Sequence, residues 1–153
     1  MKLSLTLSAC LLAMLSMQSI SADEYRLGHL QITDPYTRTT PPMAAVAGGF
    51  MTVTNNGTES DTFLGGSAGF VEAVEIHEMS MVDGIMKMRR LENGLQIAPN
   101  ETVELKPGGY HLMLIKPSEP MKEGDKHKIT LSFKQAGDIE VELEVKDISA
   151  TLE

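Results

Sequence analysis

The apolar residues of this chain recur at every second position along most of its length after Gly28. The alternation is clearest near the C-terminus, where every second residue of 129–133 and of 139–145 is apolar. A period of two is typical of β-strands that have one buried face. The strands predicted in this way span residues 46–54, 71–81, 85–91, 102–105, 110–115, 127–133 and 139–145.

Turn-forming residues separate these strands and are rich in glycine, asparagine, aspartate and proline. They occupy residues 55–57, 83–84, 93–94, 107–109, 123–125 and 136–138, and a Pro-rich loop is predicted at 39–42. No long amphipathic helix is predicted between the strands. The pattern therefore favours an all-β fold, an antiparallel sandwich or barrel of the Greek-key type. A length of 153 residues fits one domain.

The first residues have the pattern of a secretory signal peptide. Lys2 supplies the positive start, residues 3–15 are almost all apolar or small, and a cleavage position is predicted near Ser21 or Ala22. The apolar run is shorter than the roughly 20 residues that a membrane-spanning helix needs. We therefore expect cleavage, export to the periplasm and no membrane insertion of the mature protein.

The predicted organisation is a signal peptide over residues 1–22 and one β-domain over residues 23–153. Cys10 is the only cysteine of the chain, and apolar sequence continues past it, so lipid attachment there is not expected. Removing the leader would leave no disulfide, thiolate metal site or cysteine nucleophile. It would also lower the net charge from −8 to −9, because Lys2 is its only charged residue. Neither nucleic acid nor anionic lipid is an expected partner of so acidic a domain.

Methionine and histidine are concentrated in one region of the predicted domain. The chain has 11 methionines and 4 histidines, and this region contains five of the methionines and two of the histidines. They are His77, Met79, Met81, Met86, Met88, His111 and Met113. Methionine is usually a flexible filler of the core, which explains scattered methionines better than a cluster interleaved with histidine. The cluster therefore predicts a metal site.

Spacing within the strands places several of these residues on shared faces. Residues 83–84 are Asp-Gly, which suits the type I′ turn of a two-residue hairpin. With that turn Met79 faces Met88, and His77 lies diagonal to Met88 on the same face. The His-Leu-Met run at 111–113 puts a second imidazole and thioether on one face of a later strand. If the two regions meet, two imidazoles and one or two thioethers converge, although spacing within strands leaves the meeting open.

The residue types in this cluster favour Cu(I). Thioethers are soft ligands that select Cu(I), and imidazole also binds copper, whereas zinc sites rarely use methionine. Methionine carries no acidic proton, so protons compete with the metal only at the histidines. A blue-copper centre would need a cysteine thiolate. A closed shell of four ligands would leave no position for a substrate, so an enzyme is not expected.

The motif resembles that of the periplasmic copper chaperones called PCuAC. Here His77 is followed by ten residues and Met88, and then by a spacer of 22 residues and the pair His111 and Met113. That spacer is one residue longer than is usual in the family. Residues 40–42, 48–50, 54–57, 103–105 and 107–111 also look like the family. The resemblance covers approximately residues 30–145.

The resemblance implies a cupredoxin-like β-sandwich that holds one Cu(I) ion per chain through His77, Met88, His111 and Met113. It also implies delivery of copper to the CuA centre of cytochrome c oxidase, directly or through Sco-type thiol proteins. Some relatives carry a Met/His-rich C-terminal tail, and residues 147–153 contain neither residue type. We therefore expect one strong site. The protein is also expected to be a monomer.

The remaining methionines of the cluster, Met79, Met81 and Met86, are accessory candidates. Each could be a further or alternative ligand or part of a hydrophobic collar around the ion, and the collar is favoured. The expected activity is transport of Cu(I) by ligand exchange. The main rival is a copper-sequestering protein without a delivery role. An oxidase or hydrolase would require an open coordination position, and a purely structural sandwich would bind no copper.

Overall fold

A computed structural model describes residues 23–149, which form eleven β-strands and no α-helix. The strands are β1 (Glu24–Leu27), β2 (Leu30–Arg38), β3 (Val46–Asn55), β4 (Asp61–Ser67), β5 (Ala73–Val82), β6 (Ile85–Arg90), β7 (Leu95–Ile97), β8 (Thr102–Leu105), β9 (Tyr110–Ile115), β10 (Lys126–Phe133) and β11 (Gly137–Lys146). Each predicted strand is found with ends within two residues of those expected, and residues 39–42 form the expected loop. The all-β prediction is confirmed. No helix in this part of the chain is long and apolar enough to cross a membrane.

The alternation misses four strands, namely β1, β2, β4 and β7. In β2 the pattern is interrupted by Pro35, which has no N–H to donate to a neighbouring strand. The chain accommodates this proline at an irregularity, where Asp34 has a φ of 51° and the pairing with β3 shifts between Thr33 and Tyr36. Such a bulge lets the strand resume its pairing after the break.

Seven strands close into a barrel in the order β5-β9-β3-β2-β11-β10-β4, and β4 pairs back to β5 through Gly66 and Val74. Neighbours in this ring are antiparallel except β2 and β11, which are parallel. Strand β8 bridges β3 and β9, while β1 and β7 extend β2 and β4. The predicted sandwich or barrel architecture is therefore confirmed.

The barrel interior is filled by the apolar members of the alternating strands. In β10 and β11 these residues are buried except Ile139, which is partly buried, and the ring of Phe133 stacks on that of Phe63 with 4.9 Å between centroids. Burying each large aliphatic or aromatic side chain contributes about 1.5–3 kcal/mol. The β-domain thus has a continuous core without any disulfide.

Strand β6 lies outside the closed ring and pairs only with β5 among the described residues. All six of its residues are exposed. The turn that joins the two strands has φ values of 54° at Asp83 and 76° at Gly84, as a type I′ turn requires, so the predicted turn is confirmed. Residues 79–88, named here the hairpin arm, therefore extend from the barrel towards solvent.

Candidate metal centre

The strand register brings the two predicted halves of the metal cluster together. Strand β5 pairs with β6 so that Met79 lies opposite Met88, as predicted. On its other side β5 pairs with β9, and His77 lies directly opposite His111. The meeting of these strands, which the sequence leaves open, is a property of the fold.

One side of these three strands carries all the candidate ligands, because residues two apart share a face of a strand. We call it the methionine–histidine face. It comprises Glu75, His77, Met79 and Met81 of β5, Met86, Met88 and Arg90 of β6, and His111 and Met113 of β9.

The methionine–histidine face is arranged in rows about 7 Å apart, the rise of two residues along a strand. The central row contains His77 and His111. The row on one side of the histidines contains Met113, which lies opposite Glu75. The row on the other side, towards the hairpin turn, contains Met88, which lies opposite Met79. The two candidate thioether ligands thus flank the pair of imidazoles from opposite sides.

Burial changes steeply along this face. His111 is 6% exposed and Met113 is 9% exposed, whereas Met88 is 51% exposed. Exposure remains high towards the turn, with 52% at Met86 and 63% at Met81. The histidine end is therefore partly enclosed by the barrel, and the hairpin arm is open to solvent.

The two imidazoles are held close together by hydrogen bonds that use different ring nitrogens. Their ring centroids are 5.9 Å apart. The Nδ1–H of His111 donates to the carbonyl oxygen of Gly109 over 3.1 Å, which leaves Nε2 free to act as a ligand. The Nε2–H of His77 donates to Oε2 of Glu75 over 2.8 Å. Nδ1 of His77 is then a buried acceptor with no hydrogen-bond partner among the described residues.

Glu75 and Arg90 are part of this site, and they were not among the residues predicted from the sequence. The guanidinium of Arg90 lies 3.0 Å from Oε1 of Glu75, so the carboxylate is held between Arg90 and His77. A carboxylate that accepts a proton from a histidine fixes the tautomer and the orientation of the ring. The signal for finding Glu75 was its position two residues before His77 on the same face.

The barrel side of the site is closed by strand β3. Gly48 lies opposite Met113, and a Cβ atom at Gly48 would come within 2.7 Å of Cζ of Phe50. The absence of a side chain at Gly48 therefore lets the Phe50 ring cover the strand beside Met113. On the reverse side of the site, burial and the Glu78 carboxylate raise the pKa of Tyr110, which keeps this phenol protonated.

A metal site with three or more ligands on this face needs thioethers. Within residues 23–149 no three histidine, cysteine, aspartate or glutamate side chains are grouped so that they could hold a metal ion. The available donors are two imidazoles, each with one nitrogen not engaged by the protein, and the sulfur atoms of the surrounding methionines. This set of neutral, soft donors matches the preference of Cu(I).

The family model described as "Putative lipoprotein LpqE-like" matches residues 30–145. The chain belongs to this family. The match covers the same part of the chain as the resemblance seen in the sequence. It includes all of the methionine–histidine face, so the site lies within the region shared by LpqE-like proteins.

Two relatives share 30% identity with the chain. One is the "Putative lipoprotein Lxx21020" of Leifsonia xyli subsp. xyli, over 68% of this chain and 63% of its own length. The other is the uncharacterized protein RP573 of Rickettsia prowazekii, over 55% of this chain and 46% of its own length. The chain thus spans about two thirds or less of the curated relatives that it matches.

Solved structures that align with this chain include PCuAC domains. The apo PCuAC domain of PmoF2 aligns with a TM-score of 0.72 and 24% identity, over 84% of this chain and 98% of its own. The copper-bound PCuAC domain of PmoF2 aligns with a TM-score of 0.69 and 23% identity, over 82% of this chain and 98% of its own. The Cu(I) form of DR1885 from Deinococcus radiodurans aligns with a TM-score of 0.59 and 24% identity, over 73% of this chain and 74% of its own. The PCuAC resemblance and the cupredoxin-like fold are confirmed.

Proposed function

We propose that this protein is an extracytoplasmic carrier of Cu(I). The observation that carries the proposal is the pairing of His77 with His111 on neighbouring strands, with Met88 and Met113 on the same face. Two fold relatives were solved with copper, the PmoF2 domain and DR1885. These likenesses support copper as the cargo.

The proposed ligands of one Cu(I) ion are Nδ1 of His77, Nε2 of His111 and the thioether sulfurs of Met88 and Met113. The choice of nitrogens follows from the hydrogen bonds, since Glu75 and Gly109 occupy the other two. Nδ1 of His77 is buried without a partner, and a metal ion would satisfy it. The four donors are neutral, so the bound site would carry only the charge of the ion.

The exposed thioether of Met88 is the proposed point of ligand exchange. His111 and Met113 are buried and His77 is partly buried, whereas half of the Met88 surface is open to solvent. An acceptor can therefore replace Met88 first, while the remaining three ligands keep the ion bound. Transfer by this route never releases free copper. The reaction changes no oxidation state and needs no enzyme.

The proposed location is the periplasm, with residues 1–22 as a cleaved signal peptide and residues 23–153 as the carrier domain. The leader lies outside the described residues, and the proposal rests on its sequence pattern and on the name of the Leifsonia relative, a lipoprotein. The proposed acceptors are the CuA subunit of cytochrome c oxidase or a Sco-type thiol protein, and the proposed state is a monomer with one strong site.

The test of this function is a titration of the reduced protein with Cu(I) against a coloured chelator. One tight equivalent is expected, and it should disappear in the variant H111A/M113A. A protein that does not compete with the chelator would rule out the carrier. Transfer to an apo acceptor with the chelator present then separates delivery from sequestration, because a carrier passes its copper without interception.

A further inference from the structure

Three methionines of the hairpin arm are not used by the proposed His77 site. Met81 and Met86 form the row nearest the turn, and Met79 lies in the next row, opposite Met88. Met81 and Met86 lie two rows away from the histidine pair, which is a distance of about 14 Å along the strands. Even with long side chains, these two sulfurs are too remote to surround an ion held by both imidazoles.

Core packing does not explain why these positions are methionine. Met81 and Met86 are both more than half exposed, and neither belongs to the hydrophobic core. The other face of the arm is exposed as well, and it carries polar residues except at the pair beside the turn. Just beyond the arm, the same face of the two strands carries an ion pair between Arg89 and Glu78, 2.8 Å apart. Every position of the arm on the side that leads to the histidines is therefore a methionine, whereas the other side mixes polar residues with Val82 and Ile85.

The register of the arm favours contact between its thioethers. In a two-residue hairpin the pair beside the turn, Val82 and Ile85, is hydrogen-bonded, and pairs then alternate along the ladder. Met81 and Met86 consequently form a non-hydrogen-bonded pair, the kind with the closer side chains, with Cα atoms about 4.5 Å apart. Met79 lies on the same face two residues away. Three flexible thioethers can therefore converge on one point above the arm.

We propose that Met79, Met81 and Met86 form a second Cu(I) site, made of three thioethers, at the open end of the methionine–histidine face. Only soft monovalent ions suit such a donor set, because it contains neither charge nor imidazole. The site binds more weakly than the histidine site and exchanges ions with solvent or with a partner. Met88 lies directly opposite Met79, one of the three ligands, so copper passes between the two sites by replacing one thioether at a time.

This inference rests on the proposed function for the identity of its cargo, and one titration can test both separately. The exported chain, labelled with ¹³C at the methionine methyl groups, is titrated with Ag(I) and followed by NMR. Ag(I) is a soft monovalent ion that stands in for Cu(I) without redox chemistry. The first equivalent should shift the resonances of Met88 and Met113, and the second those of Met79, Met81 and Met86.

A double variant of the arm supplies the decisive comparison. In M81L/M86L the second equivalent should be lost while the first binds as before. The matched control is M43L, because Met43 is a fully exposed methionine in the loop between β2 and β3, outside the three strands that carry this face. Both equivalents should persist in that control.

The two proposals fail in different ways. A single equivalent that shifts Met88 and Met113 and leaves the arm methionines unmoved overturns the second site and keeps the carrier. A second equivalent that still binds in M81L/M86L also overturns it. Absence of any binding removes the carrier itself, and the second site with it.

Discussion

Oε2 of Glu75 lies 2.8 Å from Nε2 of His77, and the other oxygen of the same carboxylate lies 3.0 Å from Arg90. The carboxylate thereby decides which nitrogen of His77 is left for a metal. It also holds the imidazole in place before any ion arrives. An ordered ring loses less entropy when it binds copper, which favours affinity.

The first prediction concerns this carboxylate. Glu75→Gln removes its charge but can keep one acceptor for His77, and we expect the Cu(I) affinity to fall by about tenfold, the lower end of the effect seen for residues that orient metal ligands. Chelator competition measures the change. Glu72→Gln is the control, because Glu72 pairs with Lys116 on the surface over 2.7 Å and does not contact the histidines. Equal affinity in both variants would show that Glu75 has no orienting role.

The second prediction separates the two proposed thioether ligands by their burial. Met88→Leu and Met113→Leu should each weaken Cu(I) binding, because leucine has no donor atom. The free energy of unfolding of the apo protein should stay within about 0.5 kcal/mol for exposed Met88. For buried Met113 it should fall by up to about 1.5 kcal/mol.

Urea unfolding and chelator competition on the same samples provide both quantities. Met121→Leu is the control for packing alone, because Met121 is a fully buried methionine outside the three strands of the methionine–histidine face. It should change stability without changing copper binding. Unchanged affinity in Met88→Leu would remove this residue from the ligand set, and with it the proposed point of exchange.

The third prediction concerns closure of the barrel at Gly66. A Cβ atom there would lie 2.1 Å from the backbone carbonyl oxygen of Thr130, and Gly66 also pairs with Val74 across the closing contact. Because the obstructing atom belongs to the backbone, the strands must move apart to admit the methyl group. Gly66→Ala should therefore lower the free energy of unfolding by about 1–3 kcal/mol.

Thermal or urea unfolding measures this loss. Gly69→Ala is the matched control, since a Cβ at Gly69 would meet nothing within 4 Å and its φ is ordinary. Its stability should be unchanged or slightly higher. Equal stabilities for the two alanine variants would mean that β4 and β10 do not approach as closely as described.

The fourth prediction concerns the N-terminus of the exported protein. Intact mass spectrometry of the chain purified from the periplasm should give a polypeptide that begins immediately after Ser21 or Ala22, without lipid. A chain that begins at Cys10 and carries an acyl-glyceryl group would instead indicate the lipoprotein form named for its Leifsonia relative.

Several local features of this protein could be predicted from its sequence. Alternation predicts seven strands, and Asp83-Gly84 predicts a hairpin whose register places Met79 against Met88, because a two-residue turn determines the pairing of the strands it joins. The set of soft donors predicts the class of metal, which remains a prediction. The strand and hairpin predictions depend on residues close together along the chain, and the metal prediction depends on residue type.

The sequence pattern misses strands whose local signals conflict with their structure. Pro35 breaks the alternation in β2, and a bulge beside it restores the pairing. Gly65 and Gly66 make β4 look like a turn, yet Gly66 is needed where backbone from β10 approaches. In both places the tertiary contacts outweigh the local preference for a break.

The tertiary structure alone decided how the methionine–histidine face is assembled. His77 and His111 are far apart in the sequence, and only the pairing of β5 with β9 puts their rings 5.9 Å apart. The same pairing encloses His111 and Met113 against the barrel and leaves Met88 in solvent. Residue type and spacing determine which donors a strand presents. Contacts between distant strands determine which donors meet and how deeply each is buried.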